Sequence, residues 1–125
     1  MNAYNLAKTA YTASAVPIRT HSGNEYEAFA RVTLLLKNAS ATSKTRFSET
    51  AQAIFQNRQL WTLLAADVAS KDNQLPAQLR AQIFYLAEFT TVHSRKVLHG
   101  EASVDALVDI NTAIMRGLRR QAEAA

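Results

Sequence analysis

Apolar residues in this chain recur at three- and four-residue intervals over most of its length, the spacing of a helix face. The densest stretch runs from Gln82 to His99. At about 100° per residue, Leu79, Ile83, Leu86, Thr90, His93 and Val97 fall on one stripe, which suits a core. Phe84, Tyr85 and Val92 fall on the opposite side, beside Glu88 and Arg95. A helix apolar on two faces is either central to a bundle or presents its second face to a partner.

The rest of the pattern divides into four further helices. The first predicted helix runs from Asn2 to Ala15, with Tyr4 and Tyr11 on one face and Pro17 as its stop. Its apolar content is mostly alanine, so it gains least from packing and suits a mobile arm or a docking segment. The second starts at Ser22, where Ser22-Gly23-Asn24-Glu25 fits a capping box. Tyr26, Phe29, Val32, Leu36 and Ala39 form its stripe, which fades into a polar loop from Asn38 to Ser43. The third begins near Ser48, with Ala51, Ile54, Trp61, Leu64 and Val68 inward and Phe55, Leu60 and Leu63 away from them. Asp72-Asn73 breaks it, Pro76 opens the fourth, and Gly100 stops the fourth. The fifth is capped by Ser103 and runs to about Arg120. Leu107, Ile110, Ile114 and Leu118 make its stripe, with Val104, Val108 and Met115 on a shoulder; Gln121 to Ala125 fray.

These elements predict an all-α fold, a four-helix core plus a weakly amphipathic N-terminal helix, in one domain covering residues 1–125. Composition agrees. Three glycines and two prolines leave few breaks, and 48% hydrophobic with 19% charged residues suits a folded chain rather than a disordered one. Without cysteine there is no disulfide or thiolate metal site, and the chain is suited to a reducing cytoplasm. The start lacks a secretory signal, and no run approaches the roughly 18 apolar residues of a membrane span.

Candidate chemistry is sparse. The histidines are His21, His93 and His99; the last two are six apart, not at the i,i+4 spacing of a helical zinc pair. His93 on the apolar stripe reads as a hydrogen-bonded core histidine, and His99 suits a helix C-terminus. Asp105 and Asp109 are an i,i+4 acidic pair, placed where negative charge complements a helix N-terminus. No nucleophile with its base, glycine-rich phosphate loop or nucleotide fingerprint occurs. The expectation is no enzyme, no cofactor, no metal and no small-molecule substrate.

A net charge of +4 permits nucleic acid or an acidic partner, though it is also ordinary for a soluble domain. Basic residues cluster as Arg95-Lys96 with His99, and as Arg116, Arg119 and Arg120. Both clusters lie in last helical turns, where cations are favoured anyway. In an antiparallel pair they fall at opposite ends, and no stacking aromatics accompany them. A helix-turn-helix around Gly100 would place Asp105 and Asp109 on its recognition helix, the wrong charge beside phosphate. Trp61 reads as a core anchor. Phe84 and Tyr85 are either core in a crowded bundle or hot spots at an interface.

Several blocks together resemble one family. They are EYEAFARVT from Glu25, NRQLWTLLAADVA from Asn57, DNQLPAQLRAQIFYLAEFT from Asp72, HSRKVLHGEAS from His93 and DINTAIMRGLR from Asp109. The opening NAY and Arg19-Thr20 add to them. In this order they cover nearly the whole chain, and it resembles the flagellar FlaF family of alphaproteobacteria. The resemblance implies a small cytoplasmic, non-enzymatic regulator of flagellin production, acting with or against the flagellin repressor FlbT. Some members look like flagellin chaperones that support export. Flagellin is then the expected partner, and its terminal amphipathic segments suit a helix-in-groove contact. The candidate partner-binding residues are Tyr4, Tyr11, Phe84, Tyr85, Val92, Arg95 and Lys96. The alternative expectation is regulation of flagellin mRNA, directly through Arg116, Arg119 and Arg120 or by way of FlbT.

Overall fold

A computed structural model describes residues 15–42 and 47–124, and the side chains of residues 25–39 and 47–120. The described residues form four helices: α1 (Ala15–Thr42), α2 (Phe47–Ala69), α3 (Ala77–Leu98) and α4 (Asp105–Ala124). They correspond to the second through fifth predicted helices, and no strand occurs among the described residues. The predicted first helix, with Tyr4 and Tyr11, lies outside the described residues except at Ala15.

Four predicted boundaries are corrected. Pro17 does not stop a helix, and Ser22 does not start one: both lie inside α1, which begins at Ala15. Proline in a first turn costs no hydrogen bond, because the first four N–H groups of a helix have no intrahelical acceptor. The polar run from Asn38 also continues α1, to Thr42, because Ala39 is buried and holds that turn against the bundle. The helix of the last residues likewise reaches Ala124, beyond Arg120.

The other ends follow their local chemistry. Pro76 is the N-cap residue of α3, in extended geometry, and its carbonyl accepts from the Arg80 N–H at 3.0 Å. Asn73 Oδ1 accepts from the Leu75 N–H at 3.0 Å, closing the turn that drops Leu75 into the core. At the other end of α3, Gly100 adopts φ 74°, with Glu101 N–H donating to Lys96 O and Gly100 N–H to Val97 O. That pair of bonds is a Schellman closure, and it needs a left-handed residue at Gly100. Ser103 Oγ accepts from the Asp105 N–H at 3.2 Å and so caps α4.

The core consists of two apolar clusters. One holds Phe29, Trp61, Leu64, Val68, Leu75, Ile83, Ala87 and Leu118. The other holds Leu36, Ala39, Ala53, Ile54, Val97, Val104 and Leu107. Each helix contributes to both, α1 and α3 running from the first cluster to the second and α2 and α4 running back. The result is an up-down bundle. α1 packs on α4 and α2, α2 also packs on α3, and of the neighbouring pairs α3 and α4 pack on each other least.

Between the clusters every helix supplies a buried polar side chain: Thr33 from α1, Asn57 from α2, Thr90 and Ser94 from α3, and Asn111 from α4. The Trp61 indole Nε1 donates to Asn111 Oδ1 at 2.8 Å, and Asn111 Nδ2 donates to Asn57 Oδ1 at 2.8 Å. Because the indole is only a donor, it fixes which way the Asn111 amide points. Phe29 meets the Trp61 ring edge-on, with centroids 5.6 Å apart and planes at 88°.

Candidate interaction surface

The α3 stripe faces inward at Ile83, Ala87, Thr90, Ser94 and Val97. This set rotates the helix slightly from the sequence reading: Leu79, Leu86 and His93 are half-buried, while Ala87 and Ser94 are inside. Small residues let α3 sit close to α2, so the bulky Leu79 and Leu86 pack from the flank. His93 is therefore not a core histidine. Its Nε2 donates to the Ser103 carbonyl at 2.9 Å and its ring stacks on Phe89 at 5.3 Å, which ties α3 to the entry of α4.

The rotation leaves the opposite face uncovered. Phe84 is 46%, Tyr85 66% and Val92 48% exposed, so their places are on the surface and not in a crowded core. Arg95 and Lys96 are exposed on the same helix about one turn beyond Val92, in its last turn. His99 is held by its own helix end, with Nδ1 donating to the Arg95 carbonyl at 2.8 Å. Phe84 also borders a shallow groove between α3 and α2 that includes Arg58, Thr62, Glu88 and Thr91. On its other side α2 carries a second groove, shared with α1 and holding Phe55 and Leu63.

The arginine-rich end of α4 is less available than its composition suggests. Arg119 Nη2 donates to the Tyr26 hydroxyl at 2.7 Å, and its guanidinium lies 5.5 Å from the Tyr26 ring centre. One of the three arginines thus fastens α4 to α1, and Arg116 and Arg120 remain exposed. The Arg95-Lys96 pair is at the opposite end of the bundle, with the second cluster. Asp105 and Asp109 are exposed, Asp105 in the first turn of α4. No group of three or more histidine, aspartate or glutamate side chains able to hold a metal occurs among the described residues. No described helix is long and apolar enough to cross a membrane.

The sequence reading missed Asn57 and Asn111. Each stands at a core position of its own helical period, between Ile54 and Trp61 and between Leu107 and Leu118. A polar residue on a buried stripe is the signal that could have found them.

These features define a small helical bundle with uncovered apolar faces. The family described as flagellar protein FlaF matches residues 7–118, and the chain belongs to that family. No curated protein and no solved structure matches it.

Proposed function

We propose that this flagellar protein binds unpolymerised flagellin in the cytoplasm as a chaperone and promotes its synthesis and export, without catalytic chemistry of its own. The observation that carries the reading is the outer face of α3. Two adjacent aromatic side chains, Phe84 and Tyr85, stand uncovered there, with Val92 two turns further on and the cations Arg95 and Lys96 beyond it. Rigid aromatics of this kind supply large contact area at low entropic cost and dominate binding energy where they occur. An amphipathic helix of a client laid along α3 would cover them.

Size-exclusion chromatography with light scattering on a mixture with monomeric flagellin tests this directly. A co-eluting complex of defined mass is expected. The double variant Phe84→Gln/Tyr85→Gln should keep its far-UV circular dichroism and weaken the complex roughly tenfold or more, as loss of a hot spot does. Separate peaks at micromolar concentration for the unaltered protein would sink the chaperone reading. Regulation by way of FlbT or flagellin mRNA would then be the reading to pursue.

A further inference from the structure

The groove between α1 and α2 is a separate surface from the α3 face, and none of the candidate binding residues read from the sequence lies in it. Its volume is about 730 Å³. Val32 and Leu60 form its floor, and Phe55 and Leu63 stand at its edge, 57% and 70% exposed. Phe55 and Leu63 are eight residues apart on α2, roughly two helical turns or 12 Å. Two antiparallel helices with apolar side chains at that interval present the ridges and groove that a third helix packs into.

The charge at the groove is one-sided. Arg31 from α1 and Arg58 from α2 line it. Arg31 is bonded to the neutral Gln56 side chain, Nη1 to Oε1 at 3.0 Å, and neither guanidinium pairs with a carboxylate among the described residues. No carboxylate lines this groove itself; in the adjoining depressions Glu25 and Asp67, both engaged, lie beyond Leu60 and Leu63, and Glu88 lies beyond Arg58 and Thr62 on the α3 side. Two exposed cations beside an apolar channel repel a basic helix and attract one bearing carboxylates.

We infer that the α1–α2 groove docks an amphipathic helix of a partner protein whose apolar stripe is flanked by acidic residues. The apolar stripe covers Phe55, Leu60 and Leu63. The carboxylates meet Arg31 and Arg58, where bidentate pairing fixes the helix in register. This assignment stands independently of whether the α3 face takes flagellin.

Two labelled helical peptides decide it. Both carry the same leucine stripe; one is flanked by glutamates and the other by lysines. Fluorescence anisotropy with the full chain should show the glutamate peptide binding and the lysine peptide binding at least roughly tenfold more weakly. Arg31→Glu/Arg58→Glu should invert that preference, and Leu63→Glu should abolish binding of both. All three residues are exposed or on the rim, so far-UV circular dichroism should be unchanged. Phe84→Gln should have no effect on either peptide. Equal affinity for the two peptides, or glutamate-peptide binding indifferent to the groove variants, would overturn the assignment.

Discussion

Asn111 does the most for its size. It accepts from Trp61 and donates to Asn57, so one amide joins α4 to two positions of α2 in a place without solvent. Burial makes the bonds hard to lose: a donor left unpaired there carries its full desolvation cost, about 1–3 kcal/mol. Asn111→Ala orphans both the Trp61 indole N–H and the Asn57 carbonyl oxygen. The expected loss is about 2–4 kcal/mol, read as a lower urea midpoint at constant slope. Trp61→Phe orphans only Asn111 Oδ1, at about 1–3 kcal/mol. The double variant Trp61→Phe/Asn111→Ala should cost clearly less than the two single losses added, because the Trp61 donor and its Asn111 acceptor then leave together. Additive losses would mean that the Trp61–Asn111 bond contributes nothing of its own. The pairing itself was not legible in the sequence. Each asparagine could be seen on its stripe, but which helix it faced depended on the bundle.

At the scale of elements, two glycines separate backbone geometry from packing. Gly100 closes α3 at φ +74°, and a Cβ there meets nothing within 4 Å. Gly100→Ala should therefore destabilise by about 1–2 kcal/mol through left-handed strain alone, with Gly100→Asn milder. Gly117 lies within α4, and its Cβ would also find open space. There the helical backbone favours a side chain, so Gly117→Ala should stabilise by about 0.5–1 kcal/mol. Thermal unfolding followed by circular dichroism reads both signs, and a loss at Gly117 would show a neighbour that the helix does not reveal. Stops such as Gly100 were plain in the sequence because they are local. Pro17 and Ser22 misled for the same reason: a proline and a capping box each fit a start or a stop, yet both can also stand inside a helix, as they do in α1. The outer face of α3 was legible from angles around one helix. The α1–α2 groove was not, since it exists only once those two helices are neighbours.

The whole molecule is organised around the polar layer that divides its core. Sliding any helix by a turn would move Thr33, Asn57, Thr90, Ser94 or Asn111 into an apolar cluster, so the layer penalises wrong registers. A divided core invites the question whether the two clusters unfold separately. Every helix passes through both, so the physical expectation is a single cooperative transition. The sole tryptophan makes this testable, because Trp61 is buried in the first cluster and touches none of the second. Leu107 is fully buried in the second, and Leu107→Ala removes methyl groups and leaves a cavity there, at about 2–5 kcal/mol. If the layer couples the halves, that substitution lowers the Trp61 fluorescence midpoint and the circular dichroism midpoint by the same amount. If the fluorescence midpoint stayed where it is while the helical signal shifted, the polar layer would be a boundary between two folding units rather than a joint.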